Sequence, residues 1–221
     1  MRIDQDVLDA FLREVKLEAP SPIDPVQVRY VPKPWAVVGA GNYAGVFEHP
    51  DYPDVVLKLY APGRSGFEEE QEVYRRLGES KYFPVLYQAG ENYLVIKRMR
   101  GISLFDCVRY GIPIPENVIE EAEEALGEAR AKGLFPQDVH GKNVLMYQGH
   151  AYIIDVSDYL NESGKPDTKW RDLRKAYYKV YLPFIKDRGW KVPLWMLDGV
   201  RKGYRFYKLI KRTVLGKKND K

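Results

Sequence analysis

The spacing of apolar residues changes period several times along the chain. Over residues 4–18, Val7, Leu8, Phe11, Leu12 and Val15 recur at helical spacing behind a run of acids, which predicts an amphipathic leading helix. Prolines interrupt the chain in APSPIDP and VPKP, and the alternating run VQVRYV between them reads as a strand. AVVGAG and AGVFEH are strands flanking a glycine turn, and VVLKLY is another, set off by the PDYPD turn. GFEEEQEVYRRLGES returns to the helical period, with Phe67, Val73, Tyr74 and Leu77 as its apolar positions. VLYQAG and NYLVIKRM are strands again. The first half is therefore mostly sheet with one inserted helix.

The second half changes character. A short helix is predicted over 103–110 and a longer one over 116–132, behind Pro115, which suits a first helical position. NVLMYQG and AYIIDV read as a hairpin around Gln148-Gly149-His150. Two helices rich in Tyr, Lys and Arg follow over 167–186 and 194–213, with Pro183 ending or kinking the first. There is no internal repeat and no low-complexity tract.

Composition narrows the class. The 221 residues, 45% hydrophobic, suit one domain of two lobes or two very small domains with a packed core. Cys107 is the lone cysteine, so no internal disulfide forms and a reducing compartment is the expectation. The acidic start lacks the pattern of a signal peptide, and no run approaches the ~18 apolar residues of a membrane span. A soluble, cytoplasmic protein is expected. The formal charge of +4 is unevenly spread: residues 165–221 carry 18 Lys/Arg against 5 Asp/Glu. That block can attract an anionic partner, or form a solvated basic face with a frayed tail.

Five elements carry candidate chemistry. The first is Gly39-Ala40-Gly41-Asn42-Tyr43-Ala44-Gly45-Val46, where glycines let a phosphate approach the backbone. A strand follows it, which disfavours a dinucleotide fold or a Walker-type loop. The second is Lys58, inside an apolar strand, where an ammonium is costly without an anion. The third is the set Glu68, Glu69, Glu70 and Glu72 on the next helix, one of which can reach Lys58. The fourth is Phe135-Pro136-Gln137-Asp138-Val139-His140-Gly141-Lys142-Asn143-Val144-Leu145-Met146, an acid with an Asn five positions later. The fifth is Asp155, ending the apolar strand Ile153-Ile154. Asn143 and Asp155 flank the hairpin and can converge as the hard oxygen ligands that Mg²⁺ prefers. Asp138 can then take a proton from an attacking hydroxyl.

In this order the elements resemble the protein-kinase superfamily over roughly residues 37–175. The resemblance implies an α+β, bilobal, protein-kinase-like fold. Residues 1–35 would form an N-terminal helix and extension. Residues 36–99 would be an N-lobe of antiparallel sheet plus one helix, and 100–221 a minimal, mostly helical C-lobe. It also implies ATP and Mg²⁺ as cofactors and a hydroxyl-bearing acceptor, on a protein Ser/Thr or a small molecule. By the same resemblance Gly39, Gly41 and Ala44 match the three glycines of the loop, and Val46 the valine packed on adenine. Glu70 is the partner of Lys58 in register with Leu77 and Tyr82-Phe83-Pro84, with Glu69 and Glu72 as alternatives. Ile96 would be the gatekeeper, and the backbone at Lys97 and Met99 would face adenine. The resemblance implies Asp138 as the base and Asn143 and Asp155 as the metal ligands. Asp172 resembles a helix acid that braces the catalytic loop; the alternative is an exposed acid paired with a neighbouring Arg or Lys.

Three departures shape the expectation. Pro136-Gln137 replaces the usual His-Arg before the base, and His140 follows it, giving D-x-H-x-x-N. That loop is similar to those of small bacterial kinase-like proteins, lipopolysaccharide-sugar kinases and aminoglycoside kinases. His140 either orients the loop, sits near the γ-phosphate, or is structural. Asp155-Val156-Ser157 stands where D-F-G is usual, so no Phe-driven flip is encoded. Only 16 residues separate Asp155 from Asp172, so a full activation segment is missing. A compact atypical Ser/Thr protein kinase is the first expectation. A small-molecule or glycan kinase and an ATP-binding pseudokinase scaffold are the alternatives.

Overall fold

The three-dimensional structure is a computed structural model that describes residues 1–21, 24–161 and 168–193. The helix predicted over 194–213, the tail after it and much of the basic block lie outside the described residues.

Helix α1 spans Gln5–Glu14, and the Asp4 carboxylate caps it by accepting from the Asp6 N–H at 2.9 Å. It stops short of residue 18. Val15 is extended (φ −59°, ψ 139°), and β1 (Lys16–Glu18) pairs antiparallel with β2 (Gln27–Tyr30). Val15 and Leu17 pack inward as alternating residues, so Val15 fits both a helical and a strand period. Pairing with β2 decides between them.

The main sheet holds β3 (Ala36–Ala40), β4 (Ala44–Glu48), β5 (Val55–Tyr60), β6 (Leu86–Ala89) and β7 (Tyr93–Lys97). Its order is β3-β4-β5-β7-β6, with every neighbouring pair antiparallel. Alternation along β5 divides the core. Val55, Leu57 and Leu59 face α1, Trp35 and Phe47 on one side. Val56 and Tyr60 face the other side, where helix α2 (Phe67–Leu77) docks through Val73, Tyr74 and Leu77. The leading helix thus shares a core with the sheet: Phe11 lies 4.3 Å from the Trp35 ring and 5.0 Å from that of Phe47.

Beyond the sheet, β8 (Ile102–Ser103) is a short strand that its sequence does not announce. Helices α3 (Leu104–Tyr110) and α4 (Glu116–Ala131) follow. Val118, Ile119, Ala122, Ala125, Leu126 and Ala129 form the buried stripe of α4. The hairpin of β9 (Val144–Tyr147) and β10 (His150–Ile153) turns through Gln148 and Gly149, both at positive φ, and makes a sheet in the order β10-β9-β8. Helix α5 (Thr168–Ala176) continues into a wider π turn over Tyr177–Tyr181. Pro183, which has no N–H to offer, follows directly, and the Leu182 N–H reaches back to the Tyr177 carbonyl. One continuous core joins α2 and the inner sheet face to α4, the hairpin and Tyr181. Among the described residues no helix is long and apolar enough to cross a membrane.

The burial of Phe11 yields a test of the leading helix. Phe11→Ala should lower the unfolding free energy by about 3–5 kcal/mol in urea titrations. A change below about 1 kcal/mol would show that α1 contributes little to this core.

Candidate active site

A cleft of about 540 Å³ opens between the main sheet and the β9–β10 hairpin. Its roof is the β3–β4 turn. The Gly41 N–H donates to the Ala44 carbonyl at 2.9 Å, closing the turn. A Cβ added at Gly39 or Gly41 would meet no atom within 4 Å, so both backbones face open space. Ala44 is buried. Gly45 is the crowded position, where a Cβ would stand 2.9 Å from the Phe47 ring. Ala44, Val46, Val56, Ile96 and Leu145 provide apolar walls, and Lys97 and Met99 edge the opening. The Lys97 N–H is bonded to the Val85 carbonyl at 2.8 Å.

Lys58 stands at the back of the cleft. Its Nζ donates to both Oε1 and Oε2 of Glu70 at 2.7 Å and lies 3.9 Å from Asp155 Oδ1. The Glu70 side chain is 0% exposed. Glu72 instead pairs at the surface with Arg75 and Arg76, at 2.6 and 2.7 Å. Burial works to lower the Lys58 pKa, but the charges of Glu70 and Asp155 outweigh it and hold the ammonium above its ordinary range. A third group converges here: the Tyr60 hydroxyl donates to Glu70 Oε2. Burial first, and then the Glu70 charge, push the Tyr60 phenol up, so it stays a donor.

The floor comes from the hairpin and its flanks, through Asn143, Leu145, Ile154, Asp155 and Ser157; Asp138, in the loop before it, is not among the residues that line the cleft. Val139, buried, anchors that loop. Asp138 adopts a left-handed backbone, φ +55°, which Asp tolerates better than most residues. Asn143 Nδ2 donates to the Asp138 carbonyl at 3.3 Å, and the Asn143 N–H to the His140 carbonyl at 2.9 Å. His140 Nδ1 accepts from the Lys142 N–H at 3.3 Å, so His140 takes part in shaping the loop. Asn143 and Asp155 both line the cleft, and the Ile154 N–H ties to the Asn143 carbonyl at 3.0 Å. The Ser157 hydroxyl donates to Asp155 Oδ1 at 2.9 Å and orients that carboxylate. Asp138 meets the Lys169 ammonium of α5. Asp172 on the same helix is half-buried, 3.8 Å from Arg171.

These residues fit a Mg-bound nucleotide. Asp155 keeps 44% of its side chain accessible, and Asn143, whose amide carries an oxygen, lines the same cleft. Among the described residues no group of three His, Cys, Asp or Glu side chains could hold a metal by itself. Two protein oxygens with the remainder left to phosphate and water is the pattern of Mg²⁺ rather than of a closed protein cage.

The fold and this geometry define a class. The chain belongs to the protein-kinase-like superfamily, and as a phosphotransferase of that class it is a kinase. A protein of Bacillus subtilis (strain 168) named "Putative serine/threonine-protein kinase YrzF" is 32% identical over 148 residues, covering 66% of this chain and 68% of that one. A mutant kinase domain of Mycobacterium tuberculosis PknI is 22% identical, covering 63% of this chain and 67% of its own, with a TM-score of 0.45. No family model matches the chain.

Tyr60, Ser157 and Lys169 were not singled out from the sequence. Tyr60 had a readable signal, since it lies two residues from Lys58 on one face of β5. Ser157 lies two residues after Asp155, a spacing at which a hydroxyl reaches a neighbouring carboxylate. Lys169 had none, because its partner is distant in sequence. Tyr60→Phe removes a buried donor from an ionised carboxylate and should cost about 1.5–3 kcal/mol of unfolding free energy. Stability equal to wild type would show that the Tyr60 hydroxyl does not support Glu70.

Proposed function

We propose that this chain is a compact Ser/Thr protein kinase that transfers the γ-phosphoryl of ATP, bound with Mg²⁺, to a hydroxyl. The observation that carries the reading is Lys58, held by two bonds to Glu70 and 3.9 Å from Asp155 beneath two open glycines. The name carried by the Bacillus relative supports the Ser/Thr class.

Bound Mg-ATP supplies the phosphoryl group and the divalent charge that offsets it. The chain's residues supply position and fixed charge. Gly39 and Gly41 let phosphate oxygens approach backbone N–H groups. Ala44, Val46 and Ile96 enclose the base, and the backbone at Lys97 and Met99 reads its edge. Lys58, fixed by Glu70, grips the α- and β-phosphates. Asn143 and Asp155 hold the metal. Asp138 orients the acceptor hydroxyl and takes its proton as the acceptor oxygen bonds phosphorus and the bond to the leaving oxygen breaks.

A second reading, a small-molecule or glycan kinase, is favoured by one observation. Only 12 residues lie between Asp155 and Thr168, where α5 begins beside Asp138, which limits a peptide-docking platform. Labelled Mg-ATP, offered with cell lysate and separately with sugar and aminoglycoside panels, discriminates the two. Phosphoserine or phosphothreonine on protein is the expected product. Label confined to a sugar would move the assignment to the second reading. Asp138→Asn should lower turnover by about 10²- to 10⁴-fold while Mg-ATP still raises the Tm. Turnover near wild type in that variant would remove Asp138 from the role of base.

A further inference from the structure

Four large apolar side chains stand in water around the junction where α3 ends. Tyr110 is 47% exposed, Val180 51%, Phe184 56% and Trp190 56%. The segments that carry them are tied together there. Gly111 closes α3 at φ +70°, and a Cβ on it would lie 2.5 Å from the Gly189 carbonyl oxygen, so the two segments meet backbone to backbone. The Val192 N–H donates to the Val108 carbonyl at 3.3 Å. From the π turn, the Tyr177 hydroxyl donates to the Ile114 carbonyl at 2.9 Å and the Tyr181 hydroxyl to that of Ile112 at 3.3 Å. Tyr177 and Tyr181 are buried, which leaves Val180 and Phe184 on the solvent side of that segment. Four exposed apolar groups are thus presented on an anchored backbone.

The charges around them have one sign. From Leu173 to Pro193 the chain carries Arg174, Lys175, Lys179, Lys186, Arg188 and Lys191 against a single acid, Asp187. Arg174 lies 3.8 Å from Glu123, while Lys175 and Lys179 are exposed one turn apart. The Arg188 guanidinium lies 5.0 Å from the centre of the Trp190 ring, and that of Arg109 lies 4.8 Å from the centre of the Tyr110 ring. Apolar side chains scattered singly need no explanation, but a cluster rimmed by cations marks a contact surface. A second copy would bring like charges together across the same patch. Single-stranded nucleic acid matches the charge and stacks on Trp190 and Tyr110, but gives Val180 no partner. An anionic bilayer satisfies every group. Headgroups take the lysines and arginines, aromatic rings sit at headgroup depth, and Val180 and Phe184 enter the acyl boundary.

We propose that this face docks on the surface of an anionic phospholipid bilayer. The proposal stands on the surface alone and does not depend on the phosphotransfer reading. It gives that reading a setting, because α3 and α5 both start at the catalytic loop. The Phe105 N–H donates to the Gly141 carbonyl at 2.9 Å, and Lys169 meets Asp138. Both helices then run away from the loop toward the patch. The stretch from Thr168 to Val180 is roughly 20 Å of helix, which separates Asp138 from the docked surface.

The test is flotation of the full chain with phosphatidylcholine vesicles, with and without roughly one-third phosphatidylglycerol. Wild type should bind the mixed vesicles with a blue shift of tryptophan emission and should not bind phosphatidylcholine alone. Val180→Ser, Phe184→Ser and Trp190→Ser together should lower binding to mixed vesicles about 100-fold and abolish the blue shift. Should that variant fail to fold, Trp190→Ser alone carries the same expectation at about tenfold. Lys175→Gln with Lys179→Gln should lower binding about tenfold and leave the blue shift of the bound fraction in place. Residues 194–221 hold nine further Lys/Arg, so charge alone is a rival source of binding. Undiminished binding in the apolar variants places the contact in that charge and overturns the proposal. So does equal binding to both vesicle types, or to neither. Dimerisation that the apolar variants abolish would give the patch to a second copy. Tighter binding to single-stranded RNA than to mixed vesicles, with Trp190 emission quenched, would give it to nucleic acid. Either result overturns the lipid assignment.

Discussion

A carboxylate with no solvent exposure organises this molecule. Glu70 sits on α2 against the main sheet, and an isolated ionised acid there would be prohibitively costly. It is tolerated because Lys58 donates to both oxygens and Tyr60 to one of them. A buried ion pair is weak evidence for stability but strong evidence for geometry, since breaking it strands a charge. Lys58 and Tyr60 leave the same face of β5, so α2 satisfies both only with Glu70 turned inward. The same turn places Val73, Tyr74 and Leu77 in the core and seats Phe67 edge-on to Tyr60, with centroids 5.5 Å apart. Packing and charge thus select one orientation of the helix.

That orientation reaches the other lobe through Lys58, whose ammonium stands 3.9 Å from Asp155. Asp155 is braced by Ser157, and Val156 between them is buried. A switch needs an element with two arrangements of similar free energy. The small, fully enclosed Val156 and the hydrogen-bonded Asp155–Ser157 turn favour one. The back wall of the cleft is therefore assembled in the bare chain, without a bulky residue to swing out of it.

How much of this could be read beforehand depends on how local each constraint is. The sheet, α2, α4 and the β9–β10 hairpin follow from periodicity and from Gln148-Gly149. The core stripe of α4 is visible as Val118, Ile119, Ala122 and Ala125. Lys58 was conspicuous because a lysine in an apolar strand demands an anion. Asp138 and Asn143 were conspicuous through their spacing. The acid partner was harder: Glu69, Glu70 and Glu72 differ by a few residues, and only packing shows Glu70 inward and Glu72 bound to Arg75 and Arg76. The leading helix ran long because Val15 fits two periods, and pairing with β2, ten or more residues away, decides between them. The strand at Ile102–Ser103 exists only because β9 offers it an edge.

The two lysines of the site mark the same divide. Lys58 is 14% exposed and lies between carboxylates from both lobes, so its position is over-determined and its sequence context announces it. Lys169 is 51% exposed on a surface helix, where a lysine needs no partner and announces nothing. Burial is what separates them: desolvation forces Lys58 to take its anions in one geometry, so the strand alone points to a partner, whereas the contact of Lys169 with Asp138 is set by where α5 packs and is visible only in three dimensions.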